Sequence, residues 1–165
     1  MSNRRGVLLV ITLLLGVILF IVGLAFLGKR APQYKAAEQA SLSVLAHAMA
    51  EAGMEDARVK LEKDNRFPPP GVGGQLLYTY SGNIYAADAV TVVGSYTVSI
   101  DSTYAKGPYS IRKVSSVGNS GPRSQIVARQ RITAELDIAV QDRNTPANPN
   151  PTMFHYLNWR EEDGF

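Results

Sequence analysis

The residues able to do chemistry are few and far apart. The two imidazoles are His47 and His155. A zinc site needs a set of Cys, His or carboxylate ligands at matching spacing, and two lone histidines do not make one. His47 reads as a solvated residue on a helix, and His155 as a packing or hydrogen-bonding residue in an aromatic tail. Gly71-Val72-Gly73-Gly74 is glycine-rich but lacks the Lys-Ser/Thr that completes a phosphate-binding loop. Glu161-Glu162-Asp163 reads as a solvated acidic end, with calcium ligation as the sharper alternative. Arg129 and Arg131 alternate with Thr133, which puts them on one strand face. They read as cross-strand charge partners or as a surface for an anionic partner. No nucleophile–base pair or carboxylate pair suggests a reaction, so no enzyme activity, metal or cofactor is expected.

With no chemistry at hand, the elements themselves become the subject. Val7 to Leu27 is a run of 21 uncharged, mostly apolar residues directly after Arg4-Arg5-Gly6. At about 1.5 Å per residue such a helix spans roughly 30 Å, the thickness of a bilayer's hydrocarbon core. A secretory signal has a shorter apolar region followed by a small-x-small site. Here the run ends in Leu27-Gly28-Lys29-Arg30. A buried soluble helix is disfavoured because Leu, Ile, Val and Phe occupy every face. The segment therefore reads as a retained membrane-spanning helix. Basic pairs flank both ends, so positive charge alone leaves its orientation open.

Those flanks also explain the charge balance. The chain has 165 residues, 17 basic and 14 acidic. Removing Arg4, Arg5, Lys29 and Arg30 leaves 13 basic against 14 acidic residues from Ala31 onward. The excess positive charge belongs to the membrane flanks, and no nucleic-acid partner is expected. The chain has no cysteine, which excludes disulfides and thiolate metal sites.

Residues 31–66 read as an amphipathic helix. Gln33 to Asp64 is rich in good helix formers, and Ala37, Val44, Leu45, Ala48, Ala52 and Val59 fall within one sector about 100° wide. Asp56 with Lys60, and Glu62 with Arg66, are favourable i,i+4 pairs. Pro32 predicts a kink or break near Gly28–Pro32. Phe67-Pro68-Pro69-Pro70-Gly71 predicts the stop.

From residue 67 to 140 the period changes to that of strands. Leu76–Tyr80, Val90–Val93, Ser95–Asp101, Tyr109–Val117 and Gln125–Val140 are the expected strands, with turns at Lys106–Pro108 and Gly118–Pro122. In the last strand Ile126, Ala128, Ile132, Ala134, Leu136, Ile138 and Val140 share one face, with only Gln130 polar among them. Arg129, Arg131, Thr133, Glu135 and Asp137 share the other. One buried and one wet face predict an antiparallel meander covered by the amphipathic helix, an α+β fold. Residues 141–165 complete the same domain. Asp142–Thr152 reads as an extended Pro/Asn-rich linker. Phe154, Tyr156 and Trp159 then form either a final strand docked on the sheet or an exposed contact for a partner.

The order of these parts resembles a prepilin, the precursor of a type IV pilin or pseudopilin: a short leader (residues 1–6) ending in Arg-Arg-Gly, an apolar helix (7–28), an amphipathic helix and an antiparallel sheet. More narrowly, Met49-Ala50-Glu51-Ala52-Gly53-Met54-Glu55-Asp56-Ala57-Arg58 is similar to the AEAG-x-E-x-A stretch of PilX-class minor pilins. Gly94-Ser95-Tyr96-Thr97-Val98, Tyr109-Ser110-Ile111, Ser115 to Gly118, the Arg-rich strand and Trp159-Arg160-Glu161 resemble their C-terminal meander. The resemblance covers most of the chain.

It implies cleavage by prepilin peptidase after Gly6 and methylation of the new amino terminus at Val7. Arg4 and Arg5 would hold the leader in the cytoplasm, and the domain would lie in the periplasm or, after assembly, in an extracellular pilus. Two positions depart from the family pattern: Val7 stands where pilins carry Phe, and Ile11 where they carry Glu. That Glu pairs with a neighbouring subunit's amino terminus in the apolar filament core, and Ile11 cannot supply the partner. PilX-class pilins and the tip pseudopilin of type II secretion also lack it, so Ile11 points to a minor or tip subunit. Gly16, Gly23 and Ala25 would let helices approach closely in that core. The implied partners are other minor pilins, the major pilin, prepilin peptidase, the inner-membrane assembly platform, membrane lipid and a tip adhesin. The alternatives are a type II secretion tip pseudopilin and a permanently membrane-anchored periplasmic binding domain.

Overall fold

One helix, α1 (Asn3–Lys63), opens the chain in the computed structural model, which describes residues 3–64, 67, 76–107, 109–121 and 124–163. Pro32 lies inside α1, so the break expected there does not occur. Proline forfeits one helical hydrogen bond at a cost of about 3 kcal/mol. The Ala, Glu and Gln residues that follow are helix formers able to continue past it. Lys60 and Lys63 in the last turn complement the helix dipole. Residues 68–75, including Gly71–Gly74, lie outside the described residues.

The chain divides into two units, Met1–Ala40 and Ser41–Phe165. In the second, five strands form one sheet: β1 (Leu77–Tyr85), β2 (Val92–Asp101), β3 (Ile111–Ser120), β4 (Ala128–Asp137) and β5 (Tyr156–Asp163). Their order is β1-β2-β3-β4-β5 and every neighbouring pair is antiparallel. This is the α+β, pilin-like layout: an apolar N-terminal helix, a helix against a sheet, and a meander.

Several boundaries differ from the sequence expectation: β1 runs on to Tyr85, β4 is confined to Ala128–Asp137, and three further differences have a local reason. The expected strands Val90–Val93 and Ser95–Asp101 are one strand, because the turn comes earlier, at Asp88. Its carboxylate accepts the amides of Val90 (3.0 Å) and Thr91 (2.9 Å) and the Thr91 hydroxyl (2.6 Å). Gly118 was expected in a turn but lies within β3, which runs on to Ser120 before Gly121 turns at φ 85°. Asp142–Thr152 is folded back rather than extended: Asp142 N–H donates to Asn148 O (3.0 Å), Asn148 N–H to Thr145 O (2.9 Å), and Gln141 bridges Pro149.

The core lies between one face of the sheet and Ser41–Lys63. Val98, Ile100, Val114, Ile132, Ala134, Leu136 and Ile138 pack against Ala50, Met54, Ala57 and Leu61. The helix face so used is not the sector anticipated from the sequence. Ala46, Met49, Ala50, Gly53, Met54, Ala57 and Leu61 are buried, whereas Val44 (69%) and Val59 (48%) are exposed. Small residues decided this. An added Cβ at Gly118 would meet Ala46 O at 2.1 Å, so helix and sheet backbones touch there, and one at Gly53 would meet the Ser116 side chain at 2.3 Å. Ile126 and Val140, assigned to the buried face, lie beyond the ends of β4 and are exposed (41% and 63%).

Candidate functional site

Gly6–Phe26 is a 21-residue helical stretch long and apolar enough to cross a membrane, and none of its most apolar window is buried in the protein. Val7, Ile11, Val17, Phe20 and Phe26 are all about half exposed or more. Its one hydroxyl, that of Thr12, is satisfied internally by Leu9 O (2.9 Å) and Leu8 O (3.2 Å), as an apolar surrounding requires. Gly16 and Gly23, seven residues apart, share one helix face, and an added Cβ at Gly6, Gly16 or Gly23 would meet nothing within 4 Å. Ala25 is nearly opposite, on the side of Val7 and Ile11. Arg4 and Arg5 belong to the first turns of α1, but their side chains lie outside the described ones. The segment thus presents apolar surface on every side and two notches on one side.

In the sheet domain, Phe154, Tyr156 and Trp159 separate into two roles. Phe154 and Tyr156 pack against the core cluster. The Tyr156 hydroxyl donates to Met54 O (2.6 Å), and burial raises its pKa. Trp159 stays 41% exposed, with its ring edge-on to Tyr156 at 5.6 Å. β5 is therefore the docked final strand, and of the three aromatics Trp159 offers the outward surface.

His47 is not turned fully to solvent. It sits 3.5 Å from Glu51 and 4.0 Å from Glu161, whose Oε1 also accepts the Trp159 indole N–H (3.1 Å). Helix and terminal strand meet there around a cavity of about 380 Å³ lined by Ser43, Gln130 and Glu162 as well. His155 is exposed. Among the described residues no three His, Asp or Glu side chains converge as metal ligands.

Asp137 is the residue the sequence misplaces most. Strand alternation puts it on the wet face, yet it is wholly buried. β4 ends there, and the returning segment closes over it. Its carboxylate accepts two bonds from Arg143 (2.8 and 2.9 Å), and others from the Asn150 amide (3.0 Å), the Thr152 hydroxyl (2.8 Å) and Ala139 N–H (3.0 Å). Burial alone would raise the carboxyl pKa. The bonds from Arg143, Asn150, Ala139 and Thr152 outweigh it and hold the group well below its ordinary value. In a chain without cysteine this network fastens residues 141–152 to the sheet.

A second buried charge holds the chain just after the helix. Arg112, on the helix-facing side of β3, donates to Phe67 O. Burial lowers its pKa, while Asp64 acts in the opposite direction. In the last turns of the helix, Lys60 bonds Asp56 (2.6 Å), as expected, and lies over the Tyr80 ring at 4.0 Å. Glu62 pairs with Arg58, and its expected partner Arg66 lies outside the described residues.

No protein-family model, curated protein or solved structure matches the chain.

Proposed function

We propose that the chain is a minor type IV pilin of the PilX class, a structural subunit that helps start or cap a pilus. The observation that carries this reading is a single helix, α1, with an apolar membrane-length stretch near its start and its last part packed on a five-stranded antiparallel meander. Behind a leader ending in Arg4-Arg5-Gly6, that combination suits a subunit stored in a bilayer and later moved into a filament. In the bilayer, lipid covers the apolar stretch. In the filament, the helices of other minor pilins and the major pilin replace the lipid, with Gly16 and Gly23 admitting a close neighbour.

In this reading prepilin peptidase cuts between Gly6 and Val7, the leader side is cytoplasmic and the sheet domain periplasmic. The inner-membrane assembly platform then delivers the subunit toward the cell surface, where a tip adhesin is a further partner and motility a downstream role. Ile11 in place of the core glutamate suits a minor or tip subunit rather than a repeating major pilin. The protein does no catalysis in this role and requires no cofactor.

Mass spectrometry of the mature amino terminus tests the reading. A chain starting at Val7 in cells with prepilin peptidase, and an unprocessed chain when Gly6 is replaced by Leu, are the expected results. A chain that keeps Met1–Gly6 and never leaves the membrane fraction is instead a permanently anchored domain. A start beyond Leu27 is a cleaved signal peptide.

A further inference from the structure

The face of the sheet turned away from the helix is rich in hydroxyls and charges. Across four strands Thr79, Ser99, Ser115 and Thr133 stand in register, followed on β5 by Arg160. Their hydroxyls bond in pairs: Thr79 with Ser99 at 2.9 Å and Ser115 with Thr133 at 3.4 Å. The next position along β4 is Arg131, and Lys113 flanks Ser115 on β3. Around Ser115 and Thr133 these three cations line a concavity of about 400 Å³.

The concavity forms at a break in pairing. Thr133 pairs with Arg160 but Glu135 with Leu157, so Asn158 and Trp159 together oppose Ala134. Such bulges bend a strand and re-aim its side chains. Asn158, with φ 51°, directs its amide onto the Glu135 carboxylate at 2.7 Å and occupies that acid. Arg129, next on the same face, is engaged by Asn119 at 3.0 Å. By contrast, Lys113, Arg131 and Arg160 make no ion pair or side-chain hydrogen bond among the described residues. Glu162, which faces Arg131 in register, is the remaining acid in the lining. Three uncommitted cations against that acid, beside two hydroxyls, form a donor-rich hollow.

We propose that this hollow is an oxyanion site for a polar ligand carrying a phosphate or carboxylate group. Arg131 and Arg160 hold the anionic oxygens, Lys113 adds charge, and Ser115, whose hydroxyl accepts from Thr133 and keeps its own proton, donates to a further oxygen. The cavity is larger than a bare oxyanion, and its lining lacks an aromatic platform, which suits a hydroxylated carrier such as a sugar acid or sugar phosphate. The site stands on the outer face of the sheet and does not rest on the filament reading.

The test is a titration of the full chain in non-ionic detergent micelles, followed by amide and arginine side-chain NMR shifts. Inorganic phosphate and glucuronate are the two probes, each added against chloride at constant ionic strength. Saturable shifts centred on Ser115, Thr133, Arg131 and Arg160 are expected with at least one probe, and which probe saturates identifies the anion class. Arg131→Gln/Arg160→Gln should weaken binding at least about tenfold, and Glu162→Gln should tighten it, since it removes a competing charge. Amide shifts elsewhere in the variants report that the fold is intact, and Arg160→Gln alone serves if the double variant does not fold. Non-saturating shifts with both probes, or equal binding by the arginine variants, overturn the proposal.

Discussion

Gly118 on β3 lies against the backbone of α1, where a Cβ would stand 2.2 Å from Ala50 N and 2.1 Å from Ala46 O. Helix and sheet meet main chain to main chain at this point. Because neither neighbour is a flexible side-chain tip, accommodating even a methyl requires the helix to lift from the sheet. Gly118→Ala is expected to cost about 3 kcal/mol, at the upper end of overpacking effects. Denaturant unfolding in non-ionic detergent, followed by the fluorescence of Trp159, the chain's only tryptophan, measures it. Gly16→Ala, with open space around it, should leave that transition where it is.

The orientation of the helix on the sheet makes a second contrast. Leu61 is fully buried and Val59, two residues earlier, is 48% exposed. Leu61→Ala should therefore cost about 3 kcal/mol, and Val59→Ala no more than about 0.5 kcal/mol. Equal losses at the two positions would mean that the sector read from the sequence is the packed one after all.

Asp137 predicts acid sensitivity. Its carboxyl titrates lower in the folded chain than its ordinary value of 3.8. The unfolded state therefore takes up its proton first as pH falls. The stability contributed by Asp137 is fully present above that ordinary value and is lost as pH falls below it toward the folded one. Asp137→Asn keeps an acceptor but removes the charge that Arg143 faces. It should lower stability at neutral pH by about 3 kcal/mol and flatten the acid limb of a stability–pH profile. An unchanged acid limb in the variant would assign the sensitivity to other carboxylates.

Tyr156 ties the terminal strand to the helix through one bond, from its hydroxyl to Met54 O. Tyr156→Phe keeps the packing and leaves that carbonyl without the phenol donor. It should cost about 1 kcal/mol. Hydrogen exchange should quicken most along β5, the edge strand that this bond helps hold in place.

Several elements follow from residues that neighbours in space cannot override. Val7–Leu27 reads as membrane-length because length and apolarity are local properties. The stop before Phe67-Pro68 and the α+β order follow from proline chemistry and the change of hydrophobic period. The Asp56–Lys60 pair needs only helix geometry. What failed were readings in which distant parts of the chain choose between local options. Val44 and Val59 outrank Gly53 and Ala57 in apolarity, but the sheet took the face where small residues let backbones touch. Asp137 alternates like a surface residue, and only the return of Arg143, Asn150 and Thr152 makes its burial tolerable.

The amino-acid sequence by itself determined an apolar helix of bilayer length, a helix that continues beyond it and a meander after it, because periodicity and length are set residue by residue. The tertiary structure decided which helix face is inside, how residues 141–152 are fastened, and which arginines share a hollow. Those outcomes depend on register between strands and on close approach between elements. Both arise from contacts between residues tens of positions apart, as when Gly118 meets Ala50 or Arg160 is set opposite Thr133.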